Sequence, residues 1–211
     1  MFLSTRWDII GINIGVILGI GVGIGVIGAI TIFLNMISIA KMANRLKYDK
    51  VLKKGKKLKK FFWILNNADM NLVCLLIAMA HFAKGNISEF LIEINKVSHK
   101  GMIAIKHYFK TMMFFIENDI DKAKKEYLLF TNSYKRLYRG YICFRSFDYY
   151  DDILTAIFNY YDGNYALSKC KLDEIYPDIK NPILLIFFDK ILCDINQKLN
   201  LDNDINQLVL S

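Results

Sequence analysis

From Ile9 to Ala40 the chain runs for 32 residues without a Lys, Arg, Asp or Glu, then turns abruptly basic at Lys41. A helix rises about 1.5 Å per residue, so this run exceeds the roughly 30 Å hydrocarbon layer, whereas two spans joined by a turn would need more residues. The pattern predicts one membrane-spanning helix over residues 9–40. Ser38-Ile39-Ala40 has the small-x-small form of a signal-peptidase site. Secretory apolar cores run only about 7–15 residues, however, and the flank that follows here is the wrong kind, so the reading is an uncleaved anchor.

Between Lys41 and Lys60 there are ten Lys or Arg against the single acid Asp49, while before the span Arg6 is offset by Asp8. Positive flanks remain in the cytoplasm. Residues 1–8 are therefore expected to be a short extracytoplasmic N-terminus with Trp7 at the outer interface, and the C-terminal part to be cytoplasmic. Met42, Leu46, Leu52 and Leu58 are only loosely helical in spacing, and Gly55 lowers helix propensity. Residues 41–60 are expected to form a basic juxtamembrane segment, a helix leaving the bilayer and lying partly along its surface, and residues 61–211 to form the folded domain. Lys53, Lys54, Lys56, Lys57, Lys59 and Lys60 are the candidates for lipid-headgroup contact.

Beyond Phe61 apolar positions recur at three and four residues, with no alternating segments bounded by hairpin turns, which predicts an all-α domain. The run Phe61-Phe62-Trp63-Ile64-Leu65 is expected to pack into it. Four short motifs each separate two apolar stretches: Gly85-Asn86-Ile87, Asn118-Asp119-Ile120, Gly163-Asn164-Tyr165 and Asn203-Asp204-Ile205. Gly or Asn can take the left-handed conformation that ends a helix, and Asn or Asp can cap the next one with a side-chain oxygen. Asn86 and Glu89 also have capping-box spacing.

The arrangement resembles the tetratricopeptide repeat, a helix hairpin of about 34 residues. One hairpin matches at Ile77, Ala78, Phe82, Gly85, Phe90, Ile94 and Val97, a second at Phe114, Asn118, Ala123, Tyr127 and Phe130, and a third at Ala156, Tyr160, Gly163, Leu172 and Ile175. Phe90 and Ser168 stand where the family usually has Ala. The resemblance covers roughly residues 69–211 and implies a tetratricopeptide-like α-solenoid or compact helical-hairpin domain. It also implies binding of a protein or peptide partner. Ends of such stacks need caps, a role expected for the helix from Phe61 and for the stretch after Pro182.

Charge narrows the partner. The chain carries +8, yet with the basic segment set aside residues 61–211 carry −1. Nucleic-acid binding requires basic residues spread over a folded face, so membrane lipid is the expected counter-charge. Cys74, Cys143, Cys170 and Cys193 have no C-x-x-C spacing and suit reduced core thiols of a cytoplasmic domain.

No catalytic, cofactor or metal constellation emerges. His99 and His107 lack a completing Cys or carboxylate, and His81 falls at a packed helix position. Gly19-Ile20-Gly21-Val22-Gly23-Ile24-Gly25 has no Lys-Ser/Thr after it and is no phosphate loop. Asp202-Asn203-Asp204 lacks the Gly and closing Glu of a calcium loop and reads as a helix corner. Between Tyr134 and Asp152, Arg136, Tyr138, Arg139, Tyr141 and Arg145 interleave charge with aromatic rings, the composition of binding hot spots, and form the candidate partner surface.

The chain is thus expected to be a single-pass membrane adaptor or scaffold and not an enzyme. The alternative is a membrane-active oligomer regulated by the soluble domain and assembled through Gly11, Gly15, Gly19 and Gly23, which fall at i+4 intervals and form a small-residue face on which helices can approach closely in lipid. If this face pairs two copies, crosslinking in membranes yields dimer or higher species that Gly15→Leu with Gly19→Leu abolishes; monomer alone in both chains removes self-association.

Overall fold

The computed structural model describes residue 31 and residues 34–43, 45–60, 67–138 and 145–209, with side chains at all of these except 134–138, 145–148 and 201–209. The described residues contain helices and turns and no strand. Residues 34–43 are helical and lead through a turn into α1 (Tyr48–Lys59). Three hairpins follow: α2 (Asn67–Ala83) with α3 (Ile87–Asn95), α4 (Ile103–Ile116) with α5 (Ile120–Tyr138), and α6 (Arg145–Tyr161) with α7 (Tyr165–Ile175). The long α8 (Pro182–Val209) follows a 3-10 turn at Tyr176–Asp178.

Four of the reversals share one geometry. Gly85 (φ 72°), Asn118 (φ 60°) and Gly163 (φ 82°) are left-handed, as expected from their residue types. At the first, Gly85 N donates to Phe82 O at 3.0 Å and Asn86 N to His81 O at 3.0 Å, so two of the carbonyls left open at the helix end are satisfied. The same pair of bonds recurs after α4 and after α6. It recurs also at Leu46 (φ 56°), where Leu46 N donates to Ala43 O and Lys47 N to Met42 O, both at 2.9 Å. That corner is not recognisable from residue type, because a Leu rarely adopts a left-handed backbone.

The expected side-chain caps are mostly absent. Asn86 and Asn164 make no cap hydrogen bond, and Ser88 Oγ holds Glu89, so the capping box does not form. Only Asp119 Oδ1 accepts from the following helix, from Lys122 N at 3.1 Å. The carbonyls of the preceding helix already fix each corner, which leaves the cap dispensable. No corner occurs at Asn203, because α8 continues unbroken from Pro182 to Val209. Pro182 stands at its first position, and Asn181 Oδ1 accepts from Ile183 N at 3.1 Å, capping it.

The basic segment departs furthest from expectation. Far from lying apart from the domain, α1 runs antiparallel to residues 34–43, and both rest on α2. Met36, Ile39, Val51 and Leu58 are buried in one cluster with Val73, Leu76, Ile77 and Ala80. Gly55 does not interrupt α1; it is buried, and a Cβ there would meet Ile77 Cγ1 at 2.6 Å. The glycine is what lets α1 and α2 approach. Residue 61 is therefore no packing boundary, and the last residues of the apolar run, from 34, belong to the folded part. The cluster Phe61–Leu65, residues 1–30 with Gly11, Gly15, Gly19 and Gly23, and Arg139 and Tyr141 lie outside the described residues.

The larger core joins the hairpins through aromatic rings. Phe82 meets Phe90 at 5.3 Å and Phe109 at 5.4 Å between centroids, and Phe115 meets Phe158 at 4.8 Å. Truncating a ring buried this fully costs about 3–5 kcal/mol. Phe90, at a position usually small in the resembled repeat, fills the space beside Phe82 and is fully buried. Ser168, at another, is buried and donates to Ala156 O at 2.8 Å, pinning α7 to α6. Asn71 on α2 accepts from the His99 backbone N at 2.9 Å and from Ser98 N, fixing the connection to the second hairpin. The start of α8 rests against α2, where Ile183 Cδ1 would lie 3.7 Å from a Cβ at Gly85, so the final helix returns to the first hairpin. The result is a helical-hairpin bundle in which successive helices pack.

Two stability predictions follow from this packing. Gly55→Ala adds a methyl into Ile77, and overpacking of about 1–3 kcal/mol exceeds the helix-propensity gain of about 1 kcal/mol; urea unfolding should show a net loss that Gly55→Ala with Ile77→Val partly restores. His81 is buried with Nδ1 unpartnered. Burial, opposed mainly by the Glu89 carboxylate, holds its pKa below the ordinary value. The folded state thus rejects a proton that the unfolded chain accepts near pH 6.5, so stability is full above that pH and declines as pH falls below it. His81→Met should flatten the fall in urea midpoint between about pH 7 and about pH 5 relative to the parent chain.

Candidate functional site

The first helices of the hairpins, α2, α4 and α6, converge with the turn before α8 around an open pocket of about 400 Å³. Its walls are Leu76 and Met79 from α2, Tyr108 and Phe109 from α4, and Tyr149 and Ile153 from α6. Leu46, from the corner before α1, and Tyr48, the first residue of α1, close one side, and Asp178, Lys180 and Asn181 supply polar groups at another. Tyr108 stacks on Tyr150 with centroids 4.3 Å apart, so one face of the pocket is a fixed aromatic pair.

The phenols here are held in their neutral form. Burial, reinforced by the Asp178 carboxylate, pushes Tyr149 up to about 12. Burial alone raises Tyr48 and Tyr150, and it drives Tyr108 well above its ordinary value. At neutral pH these groups present apolar rings with O–H ends, suited to contact and orientation rather than proton abstraction. Acidic clusters or His/Cys sets able to hold a metal ion are absent among the described residues.

A second concavity lies between residues 34–43 and α1. Lys50, Lys53, Lys54 and Lys57 line it over a floor that includes Met42 and Leu58. Of the expected headgroup residues, Lys53, Lys54 and Lys57 come together here. Lys59 is instead drawn across to Glu93 on α3, and Lys56 and Lys60 are exposed without lining the groove. Burial would raise the Glu93 carboxyl, but hydrogen bonds from Lys59 and Lys96 hold it below the ordinary range, so this pair is charged and structural.

The histidines separate. His99 Nδ1 accepts from Gly101 N at 3.3 Å, while His107 Nδ1 lies 2.5 Å from Glu126, which Lys110 also reaches at 2.5 Å. Both contacts join α4 to α5. Cys74 is buried, whereas Cys170 and Cys193 are free and exposed and so are not core thiols.

Of the expected partner surface, Arg136, Tyr138 and Arg145 fall on α5 and α6, and their side chains lie outside those described, like Arg139 and Tyr141 altogether. The neighbouring Tyr149 and Tyr150 do reach a site, and they do so by pointing between helices. Tyr48 and Tyr108 line the same pocket. Their signal is weak, because an isolated Tyr in a helical stripe reads as core until the chain is folded around it.

Among the described residues, no helix is long and apolar enough to cross a membrane. No protein-family model, curated protein or solved structure matches the chain.

Proposed function

We propose that the chain is a membrane-anchored adaptor whose helical-hairpin bundle holds a segment of a protein partner in the pocket between α2, α4 and α6. The observation that carries this reading is the pocket itself. Its volume of about 400 Å³ falls in the range of ligand sites, and its walls are aromatic and aliphatic with a few polar groups at one edge. An aliphatic or aromatic side chain of a peptide would fill the space beside Met79 and Tyr149. Asp178, Lys180 and Asn181 would meet the polar backbone that carries it. The aromatic composition matches binding hot spots, in which Tyr is enriched.

Anchoring is supported by the uncharged run before residue 34 and the basic run after Ala40. Because residues 34–60 form part of the core, anchor and domain are separable only ahead of residue 34. Met79→Lys puts an ammonium into the pocket and should weaken association with the partner recovered from native membranes by about tenfold or more. A chain lacking residues 1–30 should keep that partner and lose integral insertion in the membrane. Co-purification of the same proteins with the parent chain and with Met79→Lys, or of none with either, overturns the reading.

A further inference from the structure

We infer that the groove between residues 34–43 and α1 is a binding site for the phosphate of an anionic phospholipid headgroup, which seats the bundle on the membrane in one orientation. This inference rests on the anchored reading above and adds to it a defined site. Lys50, Lys53, Lys54 and Lys57 stand at i, i+3, i+4 and i+7 on α1, so one helical face carries all four ammonium groups. They line a concavity of about 540 Å³ with Asn35, and Lys41, Arg45 and Lys47 extend the same basic wall into an adjoining smaller hollow.

The two flanks of α1 differ in how their charge is compensated. On one, Asp49 pairs with Lys84, and Lys59 pairs with Glu93. On the groove flank, Lys50, Lys53 and Lys57 have no carboxylate partner among the described residues, and Lys54 donates to the neutral Ser38 Oγ at 2.9 Å. Four ammonium groups held on one helical face repel one another, and an anion placed among them relieves that repulsion. The floor is different in kind, since Met42, Leu58 and the lysine stems are apolar. A site with an apolar floor and a cationic rim matches a phosphodiester carried on a glycerol ester more closely than it matches a free ion.

Position selects the lipid. One wall of the groove is the helical segment 34–43, which contains the end of the uncharged run at Ala40. Nucleic acid would need a cationic footprint continuing over the bundle, and residues 61–211 carry −1.

The test uses the full chain reconstituted in vesicles of phosphatidylcholine alone or of phosphatidylcholine with phosphatidylserine. Acetylation by a water-soluble amine reagent is followed residue by residue by mass spectrometry. Lys50, Lys53 and Lys57 should react about fivefold more slowly in the anionic vesicles, the factor corresponding to about 1 kcal/mol per lysine at an anionic surface. The exposed Lys125 and Lys190 should be unchanged. Lys50→Gln with Lys53→Gln and Lys57→Gln, three changes at exposed side chains, should also abolish the difference at Lys41 and Lys54. Equal rates in both vesicles overturn the inference while leaving the anchor in place. Protection in phosphatidylcholine vesicles by inorganic phosphate, or by a single-stranded RNA, as great as that by phosphatidylserine overturns the lipid assignment. A chain that floats with neither vesicle sinks the anchored reading and this inference together.

Discussion

Reversing a helix within two residues commits the next helix to lie antiparallel against it, and in this bundle that constraint organises everything from residue 34 onward. At each such corner a left-handed residue turns the chain while two backbone N–H groups close the carbonyls of the helix just ended. Gly85 and Gly163 adopt the conformation without a Cβ penalty, and Asn118 does so at small cost. Leu46 is the exception. A branched side chain in that region costs about 1–2 kcal/mol, which must be offset by what the corner brings together, namely the burial of Met36 and Ile39 against α1 and α2.

That offset explains why a segment so rich in lysine folds at all. Four like charges on one face of α1 oppose helix formation, yet Val51, Gly55 and Leu58 on another face give it a seat on α2. The seat is close because Gly55 presents no side chain to Ile77. Burial on one side thus holds charges together on the other, in a geometry that an isolated peptide of the same sequence would not keep. The two concavities described above share this origin, since Leu46 and Tyr48 wall the aromatic one and residues 34–43 with α1 wall the basic one.

Much of the bundle could be read before folding. Periodicity and the Gly or Asn at three corners identify the hairpins of α2 to α7, and Pro182 marks the start of α8. The corner expected at Asn203 fails because Asn and Asp are tolerated within a helix whose ends are set elsewhere. The Leu46 corner escapes for the opposite reason: its residue type argues against it, and only tertiary burial makes it favourable. Charge then conceals α1, whose few apolar positions look too sparse for a core helix until Gly55 is recognised as a contact rather than a weakness. The basic groove was legible as composition and not as shape, since which lysines converge depends on the hairpin. The aromatic pocket depends on residues from Ala43 to Leu184, and no local pattern links positions so far apart.

One consequence concerns mechanics. Leu34 is followed within two residues by Met36, already buried against α1 and α2, so no slack separates Leu34 from the core. A twist or tilt applied to the chain at that point cannot be absorbed by a swivel. It is delivered as torque to α2 and, through Asn71 and the backbone it holds at Ser98 and His99, to the next hairpin in line.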